Sequence, residues 1–278
     1  MKYRHFLLTV VFLLAFEVKG QDNLTRQLEF ANSLFSEGRY YDAITEYKRL
    51  LFFDSAGIYQ YKVDYRIGEC YKAGAKLDDA IKSFSQASKF AKNDAELFDS
   101  KTQIIRSNIL RKTTERAIQL CTELDKDERF RTKMDTIIYW KGWAYMFADD
   151  WANAANTFAK ISPEHELRKL SEQTDKEKVS VTFAKVISYI LPGSGAIYSG
   201  KFLSGLMSLG WNVLAGYWTI NSFLENRALD GVVVGELVWL RFYRGAIQNA
   251  GNFAVEKNLE IANKSLRFLQ NEYKGTKP

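Results

Sequence analysis

Alanines recur at a constant step of 37 residues through the first half of the chain, at Ala43, Ala80, Ala117 and Ala154. Two further positions keep the same step. Twelve residues before each alanine stand Ala31, Gly68, Ile105 and Gly142, and four residues after it stand Tyr47, Phe84, Cys121 and Phe158. A small residue lets two antiparallel helices approach closely, and a large one a turn later fills the remaining gap. Because one such hairpin cannot bury its apolar face alone, the step predicts stacked helical hairpins over residues 21–163.

This pattern resembles the tetratricopeptide repeat. The residues that carry the resemblance are Gly38-Arg39-Tyr40 with Ala43 and Tyr47, then Gly68, Tyr71, Leu77, Ala80 and Phe84, then Gly142, Tyr145, Trp151, Ala154 and Phe158. The third unit departs from the motif at Ile105 and Cys121, and the step of 37 residues exceeds the usual 34. The resemblance covers about half of the chain and implies a solenoid of helical hairpins.

The resemblance also implies a binding surface. Such repeats bind peptides or partner proteins on the concave face, which the first helix of each hairpin lines. The positions that correspond in this chain are Phe35, Tyr65, Glu69, Arg106, Tyr139 and Trp143. The alternative is that the aromatic members of this set pack between repeats, as aromatic residues at helical spacing usually do.

Composition supports an all-α protein. Hydrophobic residues make up 46% of the chain and charged residues 26%, which excludes wholesale disorder. The chain has only 3 prolines, which favours long helices because proline breaks a helix interior. The net charge of +6 comes from basic residues interleaved with acidic ones, so we expect no nucleic-acid partner. Cys70 and Cys121 fall in different predicted repeats, and we expect buried, unbridged thiols.

The first 20 residues are typical of a secretory signal peptide. Lys2 and Arg4 form a charged start, and Phe6 to Phe16 is an apolar core too short for an ordinary membrane span. The alternative is an uncleaved anchor. The signal predicts an exported protein, with the repeats in the periplasm of a bacterial cell envelope.

The second half of the chain contains a hydrophobic region. Residues 164–178 are almost entirely polar and predict a linker or a solvated helix, and residues 179–250 follow as a membrane-associated helical domain. Phe202 to Leu224 carries no charge and is long enough to cross a bilayer, and Gly231 to Ala250 is the predicted return helix. We therefore expect a transmembrane helical hairpin, followed at residues 251–278 by an amphipathic C-terminal helix and tail.

This region is similar to the small bacterial two-helix membrane domains of the TM2-like or DUF5683 kind. The positions that carry the similarity are Pro192, Gly193, Gly195, Tyr198, Gly200, Lys201 and Gly205, with Tyr243 and Gly245 near the end of the domain. They cover about 70 residues. The resemblance implies a topology and no activity.

The charges conflict with this topology. An exported repeat region places the linker outside the cytoplasm, yet six cations flank the hairpin on that side: Lys178, Lys185, Lys201, Arg241, Arg244 and Lys257. The positive-inside rule places such residues in the cytoplasm. Either the membrane is one that the rule does not govern, or the hairpin does not span, or the N-terminal segment is not a signal.

No catalytic constellation is present in the sequence. Gly195 to Lys201 fits G-x-x-x-x-G-K, but Phe202 stands where a phosphate loop needs Ser or Thr, and no strand is predicted before it. The chain has only 2 histidines, His5 and His165, and neither belongs to a zinc-ligand pattern. We expect no enzyme activity, no cofactor, no metal and no nucleotide.

Two functional hypotheses follow. The first is an exported, membrane-anchored adaptor whose repeats bind a protein or peptide while the C-terminal hairpin contacts membrane lipid. The second is a subunit of a membrane assembly or transport complex. In that case the hairpin is the active part, and Glu236, Arg241 and Arg244 matter most.

Overall fold

The computed structural model describes residues 23–278, so the predicted signal peptide lies outside the described residues. Within that range the protein is all-α, and no strand occurs. The chain divides into two compact units. Unit 1 comprises residues 23–168 together with Lys277 and Pro278, and unit 2 comprises residues 169–276.

Unit 1 consists of four helical hairpins. Its helices are α1 (23–36), α2 (Tyr40–Phe53), α3 (Gln60–Ala73), α4 (Leu77–Lys89), α5 (Asp94–Leu110), α6 (Thr114–Asp125), a 3₁₀ helix (Glu128–Lys133), α7 (Met134–Phe147) and α8 (Trp151–Phe158). The second helix of each hairpin begins 37 residues after the previous one, at Tyr40, Leu77, Thr114 and Trp151. The structure therefore has the predicted hairpins with the predicted step.

The turn inside each hairpin is the same in all four. One residue adopts a positive φ at each turn: Gly38, Ala75, Lys112 and Asp149. The next amide, as in Arg39 to the Leu34 oxygen at 2.9 Å, donates to a carbonyl five residues earlier. This left-handed ending satisfies carbonyl groups that the end of the first helix leaves without a partner.

The small and large positions of the repeat meet inside the second and fourth hairpins. A methyl group placed on Gly68 would come within 2.7 Å of the Phe84 ring, and one on Gly142 within 2.5 Å of the Phe158 ring. In the third hairpin the sizes are exchanged, because Ile105 and Cys121 occupy these positions and both are buried. The third repeat thus departs from the motif and still forms α5 and α6.

Polar side chains start several helices and order the connections. The Asn93 side chain accepts a hydrogen bond from the Glu96 amide at 2.9 Å and caps α5. Between α2 and α3 the Asp54 carboxylate accepts from the amides of Ile58 and Tyr59, at 3.1 and 2.7 Å. Such caps satisfy amides that a helix start cannot pair internally.

Unit 2 is built around one long helix. Its elements are α9 (Glu166–Glu177, whose first residues belong to unit 1), α10 (Val181–Ile190), α11 (Ser194–Tyr198), α12 (Phe202–Leu224), α13 (Ala228–Val234), a π-helical segment (Gly235–Trp239) and α14 (Leu240–Asn271). Helices α10, α11 and α12 and the π-helical segment all pack on α14. Residues 166–177 of the predicted linker form α9, whose Thr174 hydroxyl lies 2.7 Å from that of Ser265.

Helix α12 has the bounds of the uncharged run, but the predicted transmembrane hairpin is not seen. Among residues 23–278, no helix combines the length and the apolar content that crossing a membrane requires. The run lacks charge, yet Ser204, Gly205, Ser208, Gly210 and Asn212 dilute its apolar residues. The predicted return helix, Gly231 to Ala250, is not one helix. It comprises most of α13, the π-helical segment and the start of α14, and α14 continues beyond residue 250 to Asn271.

Candidate functional site

The predicted binding residues lie on the first helices of the hairpins. Phe35 is on α1, Tyr65 and Glu69 are on α3, Arg106 is on α5, and Tyr139 and Trp143 are on α7. All are half-buried except Trp143, which is only 2% exposed. Trp143 therefore belongs to the core and offers no surface to a partner, which corrects its assignment to the concave face.

Two polar residues that the sequence did not single out join this set. The Gln103 amide nitrogen donates to the Tyr65 hydroxyl at 3.1 Å, and its amide oxygen accepts from the Lys72 ammonium at 3.1 Å. Lys72 lies one turn after Glu69, and Gln103 lies one turn before Arg106. We give the name first-helix surface to a set of half-buried polar side chains of α3 and α5: Tyr65, Glu69, Lys72, Gln103 and Arg106.

Cations outnumber anions around the first-helix surface. Glu69 pairs with Arg66 of the same helix at 2.7 Å, and the Arg66 guanidinium lies over the Phe35 ring at 5.7 Å. Burial, and to a smaller extent the neighbouring charge of Arg106, lower the pKa of Lys72 to about 7, while Glu69 opposes the shift. Burial also lowers the pKa of Arg106. Desolvation disfavours the charged form of both groups, so a hydrogen-bond acceptor placed against them would stabilise that charged form.

Arg106 is held in a fixed orientation. Its guanidinium lies over the Trp140 ring, 4.8 Å from the ring centre, and its Nη2 donates to the backbone oxygen of Lys277 at 2.8 Å. Its Nε is buried and has no hydrogen-bond partner. A guanidinium stacked on an aromatic ring presents its remaining donors in one plane, which suits an oxygen acceptor.

Tyr139 connects the surface to the core of the last hairpin. Its ring centre lies 5.0 Å from that of Trp140, 6.4 Å from that of Trp143 and 6.0 Å from that of Phe158. Tyr139 is thus mainly a packing residue, as the alternative reading of the aromatic set expected, although its hydroxyl influences the pKa of Arg106.

The glycines of the unit 2 motif allow close packing. Gly193 has a φ of 97° and starts α11. A methyl group on it would collide with the Gly205 carbonyl, and one on Gly205 would collide with Ile197 and with the Gly193 carbonyl. A methyl group on Gly195 would collide with the Ala184 carbonyl and with Ala250. These three glycines bring α10, α11, α12 and α14 together.

The polar members of the motif also have contacts inside unit 2. The Tyr198 hydroxyl accepts from the Ser180 amide at 3.3 Å, and Lys201 pairs with Glu256 at 2.7 Å. The Tyr243 hydroxyl donates to the Tyr189 carbonyl at 2.7 Å. Pro192 directly follows α10 and its C-cap Leu191, Gly200 has a φ of 83° in the turn before α12, and Gly245 has open space around it. The motif residues therefore shape the helical domain.

Helix α12 of unit 2 exposes most of its large apolar side chains and buries small or polar ones. Residues of α12 that are more than half exposed include Leu203, Met207, Val213, Tyr217, Ile220 and Leu224. The same helix buries Gly205, Asn212, Ala215, Gly216, Thr219 and Ser222. An apolar surface of this extent marks a site of interaction with a partner or a membrane.

The buried polar groups of α12 bond to their own helix. The Asn212 amide nitrogen donates to the Ser208 carbonyl at 2.8 Å, Thr219 to Ala215 at 2.8 Å and Ser222 to Trp218 at 2.9 Å. Each bond spans four residues and stays within the helix. The Asn212 side-chain oxygen is left buried without a hydrogen-bond partner. Glu236, Arg241 and Arg244, which the second hypothesis requires, are all exposed.

Reactive chemistry has little support in the described part of the chain. Residues 23–278 hold no cluster of three His, Cys, Asp or Glu side chains with the geometry of a metal site. Cys70 and Cys121 are buried and unbridged, and burial raises the pKa of both thiols to about 12, which suppresses the thiolate. A cavity of about 320 Å³ lies between α2 and α3, lined by Tyr40, Tyr41, Cys70 and Tyr71 among others, and it holds no acid–base pair.

Comparison with protein-family models found no match, and neither curated proteins nor solved structures gave one. The two candidate sites are the first-helix surface and the exposed apolar surface of unit 2.

Proposed function

We propose that this protein is a non-enzymatic adaptor of the bacterial cell envelope. Unit 1 binds an extended segment of a partner protein on the first-helix surface, and unit 2 associates with membrane lipid through its exposed apolar side chains. The observation that carries the proposal is the inverted polarity of α12, which turns large apolar residues outward and small or polar residues inward.

Lipid is the occupant that this inversion favours. In a bilayer, helices pack through small residues because apolar side chains gain nothing by avoiding lipid. Polar side chains bond to their own backbone, as Asn212, Thr219 and Ser222 do here. In water the same exposed surface would carry a large free-energy cost, about 25 cal/mol for each Å² of apolar area.

The aromatic residues and cations of unit 2 fit the same surroundings. Trp211, Tyr217 and Trp218 are exposed on α12, and such residues favour the boundary between acyl chains and headgroups. Exposed cations, among them Arg241 and Arg244, would attract anionic headgroups. The proposal places these helices within one leaflet and its headgroup region, as interfacial helices are placed.

Unit 1 is the part of the protein that we propose binds the partner. The first-helix surface is half-buried, polar and rich in donors, and Arg106 already binds a backbone carbonyl there. Backbone recognition of this kind suits an extended peptide, whose carbonyls have no internal partners.

Vesicle flotation tests the membrane part. The chain without residues 1–20 is mixed with vesicles of phosphatidylcholine and phosphatidylglycerol and centrifuged through a density gradient. We expect the protein to float with the vesicles, and the double variant Val213→Glu with Ile220→Glu to stay at the bottom, because each new carboxylate faces lipid at a site now 63% or 55% exposed.

A matched control uses the same chemical change in unit 1. Tyr41→Glu with Phe52→Glu alters side chains that are 80% and 83% exposed, and it should leave flotation unchanged. The membrane part fails if the wild-type chain does not float, or if the two double variants float equally.

A further inference from the structure

Arg106 recognises a peptide backbone within unit 1. Its Nη2 lies 2.8 Å from the carbonyl oxygen of Lys277, a neutral acceptor, and Trp140 holds the guanidinium from one face at 4.8 Å. Two features fix the position of that carbonyl: the direction of the guanidinium N–H group and the ring behind it.

The bound segment is the chain's own Lys277–Pro278. Residues 169–276 form unit 2, but these two residues group with unit 1, and both are half-buried. Proline restricts the preceding residue to an extended conformation. Lys277 lies outside any helix, and this restriction favours the extended backbone that a bound peptide would also have.

We infer that Lys277–Pro278 occupies the place of the partner's peptide on the first-helix surface. The site recognises an extended peptide through the backbone carbonyl that Arg106 binds, and the chain's own Lys277–Pro278 blocks it. The inference rests on the proposed function of unit 1. A segment of the same chain competes at an effective concentration of about 1 mM. If the site binds this segment with an intrinsic Kd of about 100 µM, an added peptide binds about tenfold more weakly to the intact chain than to a chain without these residues.

The test compares the full chain with a variant that lacks Lys277 and Pro278. The probe is a labelled, C-terminally amidated peptide with the sequence of residues 271–278, NEYKGTKP, followed by fluorescence polarisation. We expect the shortened chain to bind the probe about tenfold more tightly than the full chain. In the shortened chain, Arg106→Gln should abolish binding.

Arg116→Gln is the matched control, because Arg116 is exposed on α6, a second helix of a hairpin. It should leave binding unchanged, and circular dichroism checks that each variant is folded. Selective labelling gives a second measurement: Cys70 and Cys121 are buried, so a spin label on Lys277→Cys reports that site alone. The label should be immobile in the full chain and mobile when Arg106→Gln is added.

The outcomes distinguish failure of the inference from failure of the proposed function. Equal binding to the full and shortened chains, still dependent on Arg106, overturns self-occupancy and leaves peptide binding by unit 1 intact. Absence of binding to both chains, or a label at position 277 that is mobile throughout, overturns the inference, while vesicle flotation judges the membrane part independently.

Discussion

Unit 1 and helix α12 of unit 2 bury different kinds of side chain. Unit 1 encloses its largest residues, with Trp143, Trp151, Tyr47, Phe84 and Phe158 almost fully buried. Unit 2 encloses glycine, alanine, serine, threonine and asparagine along α12 and leaves its leucine, tryptophan and phenylalanine side chains outside.

This difference indicates that the units are adapted to different surroundings. Burial of apolar area is the main driving force for folding in water, and unit 1 follows that rule. In unit 2 the backbones approach closely at glycines such as Gly205. The proposed contact with lipid would account for this packing, because helices in a bilayer associate through small residues. Substitutions made in both units test whether this difference in packing is real.

The largest effect is expected in the unit 1 core. Phe84→Ala removes a fully buried ring that packs on Gly68, and it should lower the free energy of unfolding by about 3–5 kcal/mol. Leu203→Ala in unit 2, at a site 71% exposed, should change it by less than about 0.5 kcal/mol. Urea unfolding followed by far-UV circular dichroism measures both. Similar losses in the two variants would remove the contrast.

A smaller effect is expected from filling the unit 2 interface. Gly205→Val places methyl groups against Ile197 and the Gly193 carbonyl, and it should cost about 1–3 kcal/mol through overpacking. Gly210→Val is the matched change on the same helix, with nothing within 4 Å of the new group. Thermal unfolding should show a lowered midpoint for Gly205→Val alone. If both variants unfold alike, close approach at Gly205 does not stabilise unit 2.

The buried cation of unit 1 predicts a dependence on pH. The pKa of Lys72 is lowered from 10.5 to about 7, so the unfolded chain binds more protons between these values and the free energy of unfolding rises with pH across that window. One group contributes at most about 1.4 kcal/mol per pH unit. Lys72→Met should flatten this rise in urea unfolding between pH 7 and pH 10, whereas Lys82→Met, at a site 79% exposed, should retain it.

The smallest effects are expected in the hairpin turns. Gly38 has a φ of 77° and open space around it, so Gly38→Ala should cost about 1 kcal/mol of unfolding free energy through backbone strain alone. Ala75 has the same role with a φ of 57°, and Ala75→Gly should raise stability by under about 1 kcal/mol. Opposite shifts in the thermal midpoint would confirm that the turns are equivalent, and shifts of the same sign would refute it.

Regular spacing made much of unit 1 predictable. The 37-residue step predicted the hairpins, and the starts of α2, α4, α6 and α8 keep this step because each repeat has the same turn. The uncharged run likewise gave the bounds of α12. Charge alone did not decide whether that helix crosses a membrane, since its serines, glycines and asparagine lower its apolar content.

The site was less predictable, because it depends on contacts between helices. Helical position placed Tyr65, Glu69 and Arg106 in one candidate set. It did not reveal that Gln103 joins Tyr65 to Lys72 or that Trp143 is buried. A polar residue one turn away on the same helix face is a candidate for such a hydrogen bond. Only the side chains of the neighbouring helix determine whether the bond forms.

Residue order alone predicts an all-α protein with hairpins at a 37-residue step and an uncharged helix from Phe202 to Leu224. These features depend on local periodicity, which a chain carries in its residue order. The tertiary structure alone decided which face of α12 is buried and which segment Arg106 binds. Both depend on what lies against a side chain in space, and residue 277 lies 171 positions from Arg106 in the chain.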